Sequence, residues 1–319
     1  MMVAPLPTRR PLSVALTIAV ALAVMPWPLA ADTRSSDQLW LVSTRHLECI
    51  DAAAFSENDM DVSYWDAEAC RWRAASFADL ERGKKTTAWT AIYVHGNRIE
   101  PGEDTYHGRR WYASLRGADP EAPPVQMIIW SWPSSQVHGQ IRDVRSKYWR
   151  AQVEVDYLGW YLRRQRSRPT WLVGFSYGAL IVTGAVHTAA PNGASQSAVS
   201  LEPPPWSALL VAAAEPAEWI GPSGKYERFA DSVRRAVVLV NGCDPALRRF
   251  QIVDRCTRPT ALGYVGYPFS ETSRALAERV SFPDVSSIAG RVHDEHPYRQ
   301  SERVAEWIRE TTQAAWKHP

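Results

Sequence analysis

Apolar runs recur along the chain, and polar or glycine-rich segments separate them. Four runs carry no charged residue beyond their first position, at residues 89–94, 125–132, 170–175 and 235–241. Uninterrupted runs of this length are typical of strands that are buried on both faces. Helical spacing of apolar residues follows at residues 107–117, 142–166 and 177–189. This alternation predicts an α/β fold with a mostly parallel central sheet and helices on both faces.

The two ends of the chain give shorter patterns. The amino-terminal part predicts a strand at 38–44, strands that could form a hairpin at 61–65 and 70–74, and a helix at 76–82. The carboxyl-terminal part predicts a strand at 198–201, a proline-rich excursion with a small helix at 202–220, a helix at 272–280, a last strand at 285–290 and a closing helix at 301–316.

The first 31 residues have the composition of a targeting segment. Arg9 and Arg10 precede an apolar run at 12–25, and small residues at 29–31 offer a cleavage site before Asp32. This order predicts a signal peptide, and therefore an exported protein that is periplasmic or extracellular. The apolar run is short for a membrane span. No stable span is expected after cleavage, and a retained amino-terminal anchor is the alternative.

The remaining chain, residues 32–319, is predicted to form one domain, because no repeat, low-complexity tract or linker interrupts it. Within it, residues 32–87 supply amino-terminal strands with a cysteine pair, and residues 88–316 form the core. The net charge of +2 gives no electrostatic reason to expect nucleic acid or an anionic membrane as partner. Nothing in the sequence predicts an oligomeric state.

Two features of composition have competing interpretations. The 15 tryptophans indicate core packing first, and aromatic walls around a ligand second, with Trp132, Tyr177 and Trp206 as candidate walls. The arginine-rich helix at 142–166 is interpreted as a solvated face. Attraction of an acidic substrate is the alternative.

Four cysteines lie in the predicted exported part: Cys49, Cys70, Cys243 and Cys256. An even number in an oxidising compartment predicts two disulfides. Sequence does not fix their connectivity, and the local pairs Cys49–Cys70 and Cys243–Cys256 are the simplest of three arrangements. Metal binding is the weaker interpretation, because the chain has no Cys-x-x-Cys or His-x-x-x-His cluster. No cofactor is predicted.

The sequence Gly-Phe-Ser-Tyr-Gly at residues 174–178 has the form of a nucleophile elbow. An apolar strand precedes it, and small apolar residues suited to a helix follow it. Such a turn exposes the hydroxyl of Ser176 above the sheet. Gly174 and Gly178 fall where side chains would collide as strand and helix approach. The motif alone occurs often by chance, so a base, an acid and oxyanion donors must be found elsewhere.

Candidate partners for Ser176 follow later strands. Asp244 comes after the run that ends at residue 241, and His293 and His296 come after the last predicted strand. A histidine can accept the serine proton because its pKa lies near neutrality, and a fixed acid holds its tautomer. His293 is preferred because it lies nearer the strand end. His296 is the alternative base, and Glu202 is the alternative acid.

Backbone N–H groups are the expected oxyanion donors. The residue after the nucleophile supplies one, which predicts the N–H of Tyr177. The loop after the earlier strand supplies the other, and there the sequence His95-Gly96-Asn97 predicts the N–H of Asn97. His95 itself is predicted to be structural, because the group needed is backbone.

Four segments in this order resemble the α/β-hydrolase superfamily, and most closely a bacterial branch with a Ser-Trp-Pro-Ser element after one strand. They are residues 94–97 (VHGN), 130–134 (WSWPS), 174–178 (GFSYG) and 241–247 (NGCDPAL). The resemblance covers about residues 88–316 and leaves residues 32–87 uncovered. It implies an α/β-hydrolase fold and a Ser-Asp-His hydrolase that needs no metal, but no particular substrate.

The sequence therefore predicts an exported serine hydrolase that cleaves a small-molecule carboxylic ester through an acyl-enzyme. An amide or thioester hydrolase with the same triad is an alternative, because one oxyanion hole serves all acyl transfers. A non-catalytic binding protein that retains the fold is the alternative from a different class.

Overall fold

The computed structural model describes residues 33–47, 54–191, 206–267 and 274–317. The predicted signal peptide, Cys49, Glu202 and the strand predicted at 198–201 lie outside these ranges. Within them the strands are β1 (Gln38–Ser43), β2 (Asp61–Asp66), β3 (Arg71–Ala75), β4 (Trp89–Val94), β5 (Val125–Ser131), β6 (Thr170–Phe175), β7 (Trp206–Val211), β8 (Val233–Leu239) and β9 (Val280–Ser281).

These strands form one sheet in the order β3-β2-β1-β5-β4-β6-β7-β8-β9. In the part of this order that runs β1-β5-β4-β6-β7-β8-β9, every two neighbouring strands are parallel. The predicted hairpin of β2 and β3 is present, and its strand β2 pairs antiparallel with β1. The structure thus confirms an α/β fold with a mostly parallel sheet.

The helices of the described residues alternate with these strands. They are α1 (Phe77–Gly83), α2 (Glu103–Ala118), α3 (Gln140–Arg163), α4 (Tyr177–Ala189), α5 (Leu262–Val265), α6 (Arg274–Arg279), α7 (Ser286–Ala289), α8 (His296–Gln300) and α9 (Glu302–Trp316). Helix α2 packs against α9, and α3 packs against α4.

The chain reverses its direction across the sheet near β4. It passes from β4 through α2 to β5 on one side, and then through α3 back across β4 to β6. Because crossovers between parallel strands are right-handed, the reversal places α2 and α3 on opposite faces. The carboxyl ends of β4 and β6 therefore flank a topological switch point, which is where open α/β sheets bind ligands.

The core is formed by strands that are buried along their whole length. Every residue of β4, β5, β6 and β7 is buried. Five tryptophans are fully buried among these layers: Trp89, Trp111, Trp130, Trp132 and Trp171. Core packing thus explains much of the tryptophan content, as the first interpretation held.

Two predicted elements near the carboxyl-terminal end are wrong. Residues 206–211, assigned to a surface excursion, form the central strand β7, because the apolar run WSALLV resumes directly after the prolines at 203–205. The last strand is β9 at residues 280–281 rather than 285–290. Asp284 accepts a hydrogen bond from the Ser286 N–H at 2.8 Å, which starts the short helix α7 instead.

The predicted disulfide Cys243–Cys256 is not present, and no pair of cysteines in the described residues is bonded. Cys70, Cys243 and Cys256 are exposed free thiols, and Cys49, the proposed partner of Cys70, lies outside the described residues. A 3₁₀ helix at Leu247–Ile252 lies in the segment between Cys243 and Cys256. Backbone hydrogen bonds in and around this helix hold the segment without a cross-link.

Among the residues that the structure describes, no helix is both long and apolar enough to cross a membrane.

Candidate active site

Ser176 lies at the switch point, directly after β6 and at the amino-terminus of α4. Its backbone angles, φ 55° and ψ −119°, are in a region that L-residues rarely adopt, as a strained nucleophile elbow requires. Hydrogen bonds hold this conformation. The Ser176 N–H donates to the Val211 carbonyl at 3.0 Å, and the Ser176 carbonyl accepts from the Ala179 and Ala214 N–H groups.

The two glycines of the motif are required by close backbone approach. A Cβ atom on Gly174 would lie 2.5 Å from the Gly178 carbonyl oxygen, and one on Gly178 would lie 2.1 Å from the Val94 carbonyl oxygen. The backbone of helix α4 can therefore pack this closely against the ends of β6 and β4 only because both positions lack side chains. Its amino-terminus, with the positive end of the helix dipole, stays next to Ser176.

His293 contacts both Ser176 and Asp244. Its Nε2 atom lies 3.0 Å from Ser176 Oγ, and its Nδ1 atom lies 2.7 Å from Asp244 Oδ2. The His293 ring also lies beside Phe175, with 5.1 Å between ring centroids. Asp244 is fully buried, whereas the His293 side chain is 24% exposed. Two consecutive hydrogen bonds thus link Ser176, His293 and Asp244 into a relay, and the His293 imidazole is the part of it that solvent reaches.

Local backbone bonds fix the Asp244 carboxylate. Its Oδ1 atom accepts from the N–H groups of Ala246 and Leu247 at 2.8 and 3.1 Å, which leaves Oδ2 for His293. The start of the 3₁₀ helix after Asp244 supplies these donors. The loop that carries the acid is therefore held by its own turn, without the disulfide that the sequence analysis expected.

Within the described ranges, the imidazole that is hydrogen-bonded to Ser176 and Asp244 belongs to His293 and not to His296, the alternative base. His296 opens helix α8, where its N–H donates to Asp294 Oδ1 at 2.6 Å. The structure therefore brings together Ser176, Asp244 and His293, and leaves His296 outside this group.

Glu295 anchors the loop that carries His293. Its buried carboxylate accepts hydrogen bonds from the Tyr93 hydroxyl at 2.6 Å and from the Trp111 indole at 2.7 Å, and it lies 3.3 Å from His107 Nδ1. Burial is the main cause that raises the pKa of Tyr93 well above its usual value, so Tyr93 remains a donor. These bonds tie the histidine loop to β4 and α2.

His95 holds the loop that follows β4. Its Nε2 atom accepts from the Trp132 N–H at 3.2 Å, which places the proton on Nδ1, 2.9 Å from the Gly96 carbonyl oxygen. Burial, and next the charge of Arg45, lower the pKa of His95 to about 4. A neutral imidazole that is fully buried positions this loop, in agreement with its predicted structural role.

Two buried carboxylates support the same loop. Asp143 accepts from Asn97 Nδ2 at 3.2 Å and from Arg98 Nε at 2.7 Å. Asp104 lies 3.2 Å from Arg45 Nε, and Arg45 in turn donates to the Ile99 carbonyl at 2.9 Å. The path of residues 97–99 is therefore fixed by side chains from α2, α3 and the end of β1.

The N–H groups of Asn97 and Tyr177 face no acceptor among the described residues. The Tyr177 hydroxyl donates to the Val144 carbonyl at 3.0 Å, which directs its side chain to α3. Of the candidate pocket walls, Trp132 is fully buried and donates to the His95 carbonyl at 2.8 Å. Trp206 begins β7 at the opposite edge of the sheet, so neither tryptophan lines the site.

No group of three or more His, Cys, Asp or Glu side chains with metal-binding geometry occurs within the described ranges. The chemistry available at the switch point is that of a hydroxyl, an imidazole, a buried carboxylate and unpaired N–H groups. This set suits nucleophilic attack on a carbonyl.

No protein-family model matches this chain, and no curated protein matches it.

Sequence reasoning missed three residues that fix the site: Glu295, Asp143 and Arg45. Glu295 stands in a polar run beside Asp294, and Asp143 and Arg45 stand among other charged residues. Nothing in such a run distinguishes a buried carboxylate from a solvated one. Only the fold brings Tyr93 and Trp111 to Glu295, across about 200 residues of chain.

Proposed function

We propose that the chain is a serine hydrolase of the α/β-hydrolase fold that cleaves a carboxylic ester through Ser176, His293 and Asp244. The observation that carries the proposal is the relay of 3.0 and 2.7 Å from Ser176 Oγ through the imidazole to Asp244. Its members follow the chain order Ser, Asp, His on loops at the carboxyl edge of a mostly parallel sheet. That order and placement are typical of α/β-hydrolases.

In the first half-reaction, Ser176 Oγ attacks the ester carbonyl carbon while His293 Nε2 takes the hydroxyl proton. The buried Asp244 carboxylate holds the proton on Nδ1 and stabilises the imidazolium that forms. The tetrahedral intermediate then collapses, the bond to the alcohol oxygen breaks, and His293 returns the proton to the leaving alcohol.

The oxyanion of the tetrahedral intermediate binds to the N–H groups of Asn97 and Tyr177. Both lie at the switch point without an acceptor of their own, and the dipole of α4 adds to their field. Loss of one such donor typically costs about 3 kcal/mol of transition-state stabilisation. The bonds that His95 and Asp143 make keep the Asn97 donor in place.

In the second half-reaction, water attacks the acyl group on Ser176. The partly exposed His293 ring gives solvent a path to the base that activates this water. The same steps release the acid and restore the serine hydroxyl. If the signal peptide is cleaved as the sequence predicts, this hydrolysis occurs outside the cytoplasm.

The test is hydrolysis of a panel of esters, amides and thioesters that share the same acyl groups. The wild type is compared with Ser176→Ala and with Ser167→Ala, which alters an exposed serine at the far edge of the sheet. We expect ester turnover in the wild type and in Ser167→Ala, and its loss in Ser176→Ala. Equal turnover by Ser176→Ala would refute the proposal, and faster cleavage of amides or thioesters would reassign the substrate class. A folded wild type that cleaves nothing and is not acylated would favour the non-catalytic binding protein.

A further inference from the structure

A cavity of about 360 Å³ lies outside the triad, between the amino-terminal part of α3 and the segment that follows the Asp244 loop. It is lined by Ile141, Arg145, Gln251, Ile252, Arg255 and Arg258. Three of these six side chains are guanidinium groups, and none is a carboxylate. Two separate stretches of chain contribute the arginines, so the cluster does not follow from the composition of one helix.

Both walls of the cavity follow the carboxyl ends of strands, β5 and β8, which lie at the same edge of the sheet as Ser176. The Val144 carbonyl accepts a hydrogen bond from the Tyr177 hydroxyl, and Val144 directly precedes Arg145 in the cavity wall that α3 forms. One turn further along, the Tyr148 ring contacts the rings of both Tyr177 and Phe250, at centroid distances of 6.2 and 5.9 Å. This aromatic cluster joins both walls of the cavity to the start of the nucleophile's helix.

The second wall is an extension of the loop that carries the catalytic acid. The Leu247 N–H donates to Asp244, and the 3₁₀ helix that starts at Leu247 ends at Ile252 in the cavity wall. A group bound there is therefore held by the same two elements that hold Tyr177 and Asp244.

The arginines of the cavity retain donors for a ligand. Arg145 uses Nε to donate to the Ile252 carbonyl at 2.8 Å, and Arg258 makes one long bond of 3.4 Å to Gln251. None of the three is in an ion pair within 4 Å among the described residues. The neighbouring acid, Asp254, is turned into its own loop, where it accepts from the Cys256 N–H and the Thr257 hydroxyl.

Like-charged arginines gathered around the cavity repel one another, and no carboxylate lines it. The pKa of the neighbouring Asp254 is lowered mainly by the Cys256 N–H and also by the charge of Arg145, but its single negative charge does not balance three guanidinium groups. Guanidinium groups bind carboxylates through paired, charge-assisted hydrogen bonds, and such a ligand would offset this repulsion. The isoleucines on both walls, of which Ile141 is 50% exposed, provide apolar contact for an aliphatic chain. The combination fits a short aliphatic chain that ends in a carboxylate.

We propose that this cavity is a substrate subsite for a carboxylate, so that the ester cleaved at Ser176 carries a second, negatively charged end. This inference rests on the proposed function. It gives Arg145 of α3 a role in attracting an acidic substrate. Of the α3 arginines outside the cavity, Arg142 is exposed to solvent, whereas Arg150 forms an ion pair with the buried Glu154.

The kinetic test compares esters that differ only in charge. One pair carries the charge on the acyl side, 4-nitrophenyl hydrogen adipate and 4-nitrophenyl methyl adipate. The other carries it on the alcohol side, the butyrate esters of 4-hydroxybenzoate and of methyl 4-hydroxybenzoate. We expect kcat/KM to favour the anionic member in at least one pair. Arg255→Gln and Arg258→Gln should each reduce that preference, by about fivefold, and Arg142→Gln, an exposed α3 arginine outside the cavity, should not.

A binding test keeps the inference separate from catalysis. Adipate should raise the Tm of the wild type more than adipamide does at equal ionic strength, and Arg255→Gln with Arg258→Gln should remove the difference. Equal effects of adipate and adipamide, with neutral and anionic esters cleaved equally well, would overturn the carboxylate subsite and leave the hydrolase intact. Absence of all ester cleavage would instead refute the proposed function, and the adipate shift would still decide whether the cavity binds a carboxylate.

Discussion

His293 Nε2 lies 3.0 Å from Ser176 Oγ, although 117 positions separate the two residues in the chain. The contact forms because β6 and the loop before α8 both end at the carboxyl edge of one sheet. His296, three residues further on, is directed into α8 instead. This difference between two neighbouring histidines decides which imidazole can accept the proton of Ser176.

The two histidines should therefore differ sharply when each is replaced by alanine. We expect His293→Ala to lower kcat for ester hydrolysis to about the level of Ser176→Ala, a loss on the order of 10⁶-fold in comparable triads. His296→Ala should retain most of the activity, because His296 is exposed and the imidazole that is hydrogen-bonded to Ser176 belongs to His293. Steady-state kinetics on purified variants with matched circular dichroism spectra would measure both. A larger loss in His296→Ala than in His293→Ala would contradict the assignment.

Glu295→Gln should weaken the support of the histidine loop. A glutamine offers one acceptor oxygen, so its amide group must face the Tyr93 hydroxyl or the Trp111 indole, both of which are donors. A buried donor left unsatisfied costs about 1–3 kcal/mol, and we expect the free energy of unfolding to fall by that amount. We also expect kcat to fall more than KM rises, because His293 is displaced.

The matched control for that change is Asp294→Asn. Asp294 is exposed and accepts from the His296 N–H, which an asparagine can also do. Chemical denaturation and ester kinetics should show little change. Equal behaviour of the two variants would contradict the anchoring role of Glu295.

Glu215 should make stability depend on pH. Burial raises its pKa from 4.5 to about 8, and only Thr183 donates to its carboxylate among the described residues. Between those values the folded protein holds a proton that the unfolded chain releases. The stability that Glu215 contributes is therefore complete below about pH 4.5 and is lost as the pH rises through about 8.

Glu215→Gln removes this titration and keeps an acceptor for Thr183. Its Tm should fall less than that of the wild type as the pH is raised through the range 4.5 to 8. Glu218→Gln, at an exposed position of the same segment, should follow the wild type. Differential scanning calorimetry across that range is the measurement, and parallel curves for all three proteins would contradict the prediction.

The free thiols predict insensitivity to reduction. Cys243 and Cys256 are exposed and unbonded, so both should react with Ellman's reagent in the folded protein without prior reduction. Adding a reductant should leave the Tm unchanged. A cross-linked peptide that contains both cysteines, found by mass spectrometry of non-reduced protein, would contradict this result and restore the disulfide inferred from sequence.

The sequence predicts those parts of the fold in which local pattern and burial agree. The run at 89–94 contains no charged residue, glycine or proline, and the structure gives the same bounds for β4. The motif at 174–178 specifies its own turn, because only glycine fits at Gly174 and Gly178. Where local signals conflict, tertiary context decides, as when β7 forms directly after a proline cluster.

Long-range partners of single polar residues could not be read from the sequence. The choice of His293 over His296 depends on how the chain enters α8, and the role of Glu295 depends on two donors from distant elements. The disulfide prediction failed for a related reason. It used the number of cysteines and their spacing, whereas the segment between Cys243 and Cys256 folds into a 3₁₀ helix at Leu247–Ile252 and leaves both thiols exposed and unbonded.

The central claim is that Ser176 is the nucleophile, and covalent labelling tests it most directly. A fluorophosphonate probe phosphonylates a serine whose hydroxyl is activated by a neighbouring imidazole. After incubation with the purified protein and digestion, mass spectrometry should locate one adduct on the peptide that contains residues 174–178, at Ser176. Labelling should be absent in Ser176→Ala and unchanged in Ser167→Ala. An unlabelled Ser176 in a folded wild type, or an adduct at another serine, would contradict the account.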